Sequence, residues 1–341
     1  MTAKLLENFG GKVTEQWAVR LLTPAFVFWL GGVGAAAQRW GWAEVVAQVT
    51  RLAEQPQLVL LVAGLCVVAA SAAVVQRFDL ATLRFLEGYG RLWWHPIWQC
   101  RVQHYRNYKA SLRQQSNDLR KLETQQRTRL TTLQTRIDTE GAPHFSGQER
   151  AEFLQLRQSL LSSPGQQRLV QLGQQIRELP VADGDLMPTR LGNLLRAAER
   201  QSLQKYGLDA VICWSRLWML LPDAVKQDLQ TSRADLNAAA RLWLWSLLFC
   251  GWVGVSVNLA APLLVNLVAL WPLLGLVSAG FAYQWAIAAA RTYGDLIEAA
   301  FDLYRHLLYD ALRWTLPPEP HIEKQVGREL TRYLWRGPED P

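Results

Sequence analysis

Charge is missing from this 341-residue sequence in three places: no Asp, Glu, Lys, Arg or His lies between Arg20 and Arg39, between Glu54 and Arg77, or between Arg241 and Arg291, runs of 18, 22 and 49 residues. Within those runs the absence argues against pumps, proton-coupled carriers and voltage sensors, all of which need intramembrane charge. Cysteine is scarce as well. Cys66, Cys100, Cys213 and Cys250 form no C-x-x-C pair, which leaves neither a disulfide scaffold nor a thiolate metal site and makes them small apolar fillers. The five histidines, at 95, 104, 144, 306 and 321, have no H-x-x-x-H or Glu-x-x-His spacing, so metal binding lacks support. Gly31-Gly32-Val33-Gly34 lacks the following Lys of a phosphate loop, and no G-x-S-x-G is present. The sequence therefore predicts no enzyme, no cofactor and no metal.

What is present is apolar bulk in blocks, with 16 Trp suited to membrane interfaces. A bilayer core of roughly 30 Å takes about 20 apolar helical residues. The first two runs fit one span each. The third fits two, with Asn258, Pro262, Asn266 and Pro272 supplying the turn. Spans are expected at about 21–38, 57–76, 241–258 and 267–289. Lys4, Glu7, Lys12, Glu15 and Trp17 make a long mixed-charge lead over 1–20, unlike the compact basic start of a signal peptide. The fold class expected is all-α and integral to the membrane: four transmembrane helices as two hairpins (21–76 and 241–290) around a cytoplasmic, coiled-coil-like helical domain (77–240), followed by an exit helix and a C-terminal helix (291–341).

With four spans, 34 of the 36 Lys and Arg fall on one side and only Arg39 and Arg51 on the other. The positive-inside rule makes the rich side cytoplasmic, with both termini there and the protein multi-pass in a plasma (inner) membrane. The net charge of +7 also favours anionic lipid. Nucleic acid is not an expected partner, because the basic residues of the central region alternate with Asp and Glu.

The second span is expected to continue as a helix through 77–87 and stop near Gly88, as the fourth continues past Arg291. Leu112, Leu119, Leu122, Leu130, Leu133 and Ile137 recur at spacings near three, four or seven, and after a break at Gly141 and Pro143 the stretches carrying Phe153, Leu156, Leu160, Leu169, Leu172 and Ile176 follow. That pattern predicts an antiparallel αα-hairpin over about 99–179. Ser146 with Glu149 is a capping box.

Downstream come PTRLGNLLRAAE at 188–199 and KYGLDAVICWSRLWMLLP at 205–222. These strings, with the order of two spans, soluble helices and two spans, resemble segments of uncharacterised bacterial multi-span membrane proteins. The resemblance implies an architecture and no activity. The stretch 208–221 is apolar nearly all round but, at about 21 Å, too short to cross; it is expected at the membrane surface or beneath the bundle.

Four sets of candidate residues follow. Gly31 with Ala35, Gly32 with Ala36, and Ala69 with Ala73 are small-x-x-x-small pairs for helix packing, within a chain or between chains. Ser246, Ser256, Ser278 and Gln284, with Asn258 and Asn266 at the outer turn, are candidates for a pore lining or for hydrogen bonds between helices. Thr189, Arg190 and Asn193, with Arg216, are candidates for an anion or lipid-phosphate site, against an ordinary capped helix start. Asp295, Glu298 and Asp302 recur at helical spacing and are candidates for an acidic vestibule in a ring of subunits, against local ion pairs with Arg291 and His306. The function expected is a self-assembling bacterial membrane protein, a homo-oligomer and a channel or pore gated through its cytoplasmic helices. The alternative is a non-conducting scaffold or sensor presenting its arm to a cytoplasmic protein partner.

Overall fold

The computed structural model describes residues 12–50, 54–89, 96–140, 146–162, 164–256, 270–317 and 319–338. Among these the chain is helical and contains no strand. The outer turn with Asn258, Pro262 and Asn266, the lead residues Lys4 and Glu7, and the break at Gly141 and Pro143 lie outside the described residues.

The first apolar run forms most of α1 (Lys12–Trp40), which holds Pro24 within it. A short α2 (Trp42–Thr50) follows the left-handed Gly41 (φ 87°) and leads to α3 (Glu54–Gln76). The expected run-on helix is interrupted: Arg77 and Phe78 donate to Val74 and Val75, a tightened turn, before α4 (Asp79–Glu87) restarts. Gly88, at φ 92°, ends α4 as the sequence suggested.

The arm is α5 (Pro96–Glu140), 45 residues and about 68 Å long. Back along it run α6 (Gly147–Ser162) and α7 (Pro164–Arg177). Arg136 meets Glu149, Arg129 meets Glu152 and Lys109 meets Asp183. One partner number rises as the other falls, which makes the hairpin antiparallel. Leu112 and Leu133 are buried along its seam with Leu172, whereas Leu122 is exposed. Ser146 and Glu149 cap α6 reciprocally: the Ser146 amide and hydroxyl donate to the carboxylate, and the Glu149 amide donates back at 3.2 Å.

Then come α8 (Arg190–Tyr206), α9 (Ala210–Leu220), α10 (Asp223–Phe249), a 3-10 turn at Cys250–Trp252, the single turn α11 (Val253–Ser256), α12 (Leu270–Ala311) and α13 (Pro320–Arg336). The antiparallel pair α10 and α12 is the spine. Its seam is made of small residues: Gly275 lies so close that a Cβ there would sit 2.7 Å from the Ser246 carbonyl, and Ala279, Ala282, Ala286 and Ala290 continue the line. On α9, Cys213 and Leu217 face the core while Val211 and Met219 are exposed.

Among the described residues three helical stretches are long and apolar enough to cross a membrane: Val59–Gln76, Asp223–Ser256 and Leu270–Ala311. The first of these has only 11% of its apolar window buried. Phe26, Val27, Leu30, Leu274 and Phe281 are exposed as well, so large apolar side chains also face outward from α1 and α12.

Candidate functional site

The helix start at Arg190 shows how the arm, the second hairpin and the first are tied together. The Thr189 hydroxyl accepts from the Gly192 amide at 3.0 Å and donates to the Glu87 carbonyl at 2.8 Å. Asn193 is fully buried; it accepts from the Met187 amide and donates to the carbonyls of Met187 and Thr189. Gly192 is obligatory here, because a Cβ would lie 2.0 Å from the Glu87 carbonyl oxygen. Of the anion candidates, Thr189, Arg190 and Asn193 lie together at the start of α8, and Arg216 lies on α9. Thr189 and Asn193 hold their own backbone, Arg190 turns to Glu178, and Arg216 donates to the Ile212 carbonyl on α9.

A cleft of about 590 Å³ opens between α7, α8 and α12, within the size range of ligand sites. Charged groups bridge it in pairs. Arg177, the last residue of α7, binds Glu298 and lies 3.7 Å from Asp295. Glu178 holds two guanidiniums, Arg291 at 2.7 Å and Arg190 at 3.2 Å. Glu298, only 10% exposed, also receives Lys205 at 2.6 Å and Gln201 at 3.0 Å. Asp302 pairs with Lys205 and with the Tyr206 hydroxyl. The local pairs expected with Arg291 and His306 give way to partners on other helices, so this acidic face cross-links the arm to α12. Lys109, 2% exposed, adds a further tie by donating to the Val181 carbonyl and to Asp183. That bond holds the Asp183 carboxyl below its usual range. Exposed pairs of this kind contribute little singly, but a connected network around a shielded carboxylate contributes more.

Glu87 is the last residue of α4, and its carboxyl is largely shielded. Burial pushes it up to about 7, Glu199 on α8 adds to the rise, and Arg233 on α10 and Arg84 on α4 oppose it. Sequence reasoning passed over this residue, since nothing in the α4 pattern marks which carboxylate another helix will cover.

The packing candidates divide. Gly31 and Gly32 receive aromatic rings of the same chain: a Cβ on either would fall 2.3 Å from Phe249 or 2.5 Å from Trp252. The Trp252 indole donates to the Phe28 carbonyl at 2.9 Å, and that of Trp271 to Gln38 at 2.8 Å. Ala35 is buried and Ala36 half-buried, while Ala69 and Ala73 are exposed. The α10–α12 seam, Gly275 with Ala279, Ala282, Ala286 and Ala290, was legible as a small-residue repeat but not singled out. Of the polar candidates, Ser246 and Ser278 hydrogen-bond to each other at 2.8 Å and Ser256 donates to the Val253 carbonyl. Gln284 is exposed; Asn258 and Asn266 lie outside the described residues. Among the described residues no three His, Cys, Asp or Glu side chains are grouped to hold a metal ion.

No protein-family model, curated protein or solved structure matches the chain.

Proposed function

We propose that the chain is a multi-pass membrane protein that couples a cytoplasmic helical arm to its membrane helices, the arm being the part that takes a protein partner. In this reading α1, α3, the upper half of α10 with α11, and the upper half of α12 cross the bilayer, placing both termini and the arm in the cytoplasm. The observation that carries it is the continuity of α12. The helix runs from an apolar, outward-facing half directly into the cleft where Arg177 and Glu178 of the arm are ion-paired. A load on the arm therefore reaches the membrane helix through charge pairs and not through a loose linker. The lopsided distribution of Lys and Arg supports the orientation.

A second reading, in which copies associate and a pore forms between them, draws on α3, whose apolar window is only 11% buried among the described residues. Ser246 and Ser278 already hydrogen-bond to each other, so a conducting path would lie between chains. Subunit counting in detergent together with conductance in liposomes separates the readings, and a small non-conducting species removes the pore.

The native thiols test the membrane assignment. Cys66 is exposed midway along α3 and Cys100 is exposed on α5. In inside-out membrane vesicles a polar, impermeant maleimide is expected to label Cys100 and spare Cys66, because lipid covers the latter. Labelling of Cys66 in intact vesicles would defeat the assignment.

A further inference from the structure

The arm and the spine have separate apolar cores. Leu172, Ile176 and Leu179 pack against Tyr105, Leu112 and Leu119 of α5, whereas Leu191, Leu194, Ala286 and Ala290 belong to a core built from α4, α8, α10 and α12. Among the described residues the two cores have no member in common. Between them lies the cleft of about 590 Å³, whose arm-side wall includes the exposed amides of Gln171, Gln174 and Gln175. A second cavity, of about 400 Å³ and walled by Tyr105 and Tyr108, also reaches Glu178 and Arg190. The end of α7 is thus held to the spine by charge across open space and not by a packed apolar seam. Breaking those pairs strands no buried charge. Arg177, Arg190 and Arg291 already reach solvent, and Glu298 keeps Lys205 and Gln201 when Arg177 leaves. A shielded pair such as Arg241 with Asp79 behaves differently, because each partner would be left buried and alone. An exposed pair favours its closed geometry by about fivefold or less, so the bias toward a docked arm is modest.

The chain has a joint at the root of the arm. Asp183 goes with the arm, since Lys109 of α5 donates to its carboxylate and to the Val181 carbonyl. Asp185 goes with the spine, where Arg196 and Arg200 of α8 each hold it at 3.4 Å. Gly184 alone separates the two, and a Cβ there would meet nothing within 4 Å. At the same root the Arg101 guanidinium of α5 donates to the Pro188 carbonyl at 3.0 Å, next to Met187, which Asn193 of α8 fixes. Hinge motion concentrates in a few residues that absorb backbone rotation, and glycine does so at little steric cost.

We propose that the arm is a reversible latch. Helices α5 to α7 swing as one body about Gly184 and the contact of Arg101 with Pro188. In the docked state Arg177 and Glu178 hold α12 and α8; in the released state both are solvated. The proposal rests on the reading that these pairs couple the arm to the membrane helices, and it adds that the coupling disengages. A partner that binds the released arm more tightly than the docked one shifts the balance by that ratio. Salt acts in the same direction, because the screening length falls from about 10 Å at 0.1 M to about 3 Å at 1 M.

The test uses the full chain in lipid nanodiscs, with Cys66, Cys100 and Cys250 replaced by serine and spin labels on Gln155→Cys and Leu303→Cys, both exposed positions on α6 and α12. Pulsed dipolar spectroscopy then reads the distance between arm and spine. At low salt one narrow distance is expected, and a second population is expected to grow as salt rises to about 1 M. Glu178→Arg, which sets three guanidiniums together, is expected to raise the released population about tenfold or more at low salt. Adding Arg291→Glu puts one carboxylate back between two guanidiniums and is expected to restore docking, an outcome that misfolding of the single variant would not give. The salt series on the unreversed protein stands even if that variant fails to fold. One unchanged distance at every salt concentration, or release by Glu178→Arg that Arg291→Glu does not reverse, overturns the latch. A single fixed distance throughout leaves the coupling reading in place, whereas a broad distribution already at low salt shows an arm that never docks and defeats both.

Discussion

Arg241 and Asp79 form a buried, two-pronged ion pair: the guanidinium Nε donates to Oδ1 at 3.0 Å and Nη2 donates to Oδ2, with the two side chains 9% and 14% exposed. The pair joins the point where the third charge-free run begins to the first residue after the break below α3. Arg241→Ala leaves Asp79 shielded without its cation, and an unpaired buried charge costs about 3–5 kcal/mol. Replacing both residues together, Arg241→Met with Asp79→Leu, is expected to cost much less. Unfolding in detergent by chemical denaturant measures both; equal losses would show that the pair contributes nothing specific.

Glu87 gives the fold a pH dependence near neutrality. Its folded-state value is raised from 4.5 to about 7, so the contribution to stability is complete below the unfolded value and is lost as pH rises through about 7. Between pH about 5 and 8 the wild type is expected to lose stability on the order of 1–3 kcal/mol relative to Glu87→Gln. Midpoints of thermal unfolding for the two proteins at both pH values decide it, and parallel midpoints would refute it.

Glu178 is the hinge of the charge network because one carboxylate holds both Arg190 and Arg291. Glu178→Gln is expected to loosen the arm base more than Arg190→Gln, since it leaves two facing guanidiniums uncompensated. Hydrogen exchange over residues 171–178 reads the difference. Faster exchange in the first variant and a small change in the second is the expected pattern.

Glycines make a graded series. Gly192→Ala drives a Cβ to 2.0 Å from the Glu87 carbonyl and Gly275→Ala drives one to 2.5 Å from the Cys250 sulfur; each is expected to destabilise by about 1–3 kcal/mol. Gly173, in the middle of α7, has nothing within 4 Å of such a carbon. Gly173→Ala is expected to stabilise the arm by up to about 1 kcal/mol, because alanine forms helix better where space is open. Circular-dichroism melts rank the three.

Much of this architecture is legible before any coordinates. Charge-free runs locate the apolar helices, leucine spacing locates the arm, and Ser146, Thr189 and Gly88 mark helix ends that the backbone confirms, because these signals act within a few residues of one another. Partnerships over long distance are another matter. Arg291 sits four residues before Asp295, a favourable local spacing, yet it turns to Glu178, which the fold brings to 2.7 Å. Ala69 and Ala73 have the same spacing as Gly31 and Ala35, but α3 presents a different side to its neighbours, burying Ala72 and Val75 instead. Spacing identifies a face without identifying what meets it. The shielding of Glu87 is invisible for the same reason, since α8 and α10 create it from more than a hundred residues away.

The absence of a joint in α12 has a mechanical meaning. A rod of 42 residues, about 63 Å long, turns as one piece, so leaning it by only 5° shifts one tip about 5 Å relative to the other. The α3 to α4 passage bends at Arg77 and Phe78 and would absorb such a lean locally. If α12 crosses the bilayer as proposed, it would serve as the lever, and the bend between α3 and α4 would be the place where a lean is taken up.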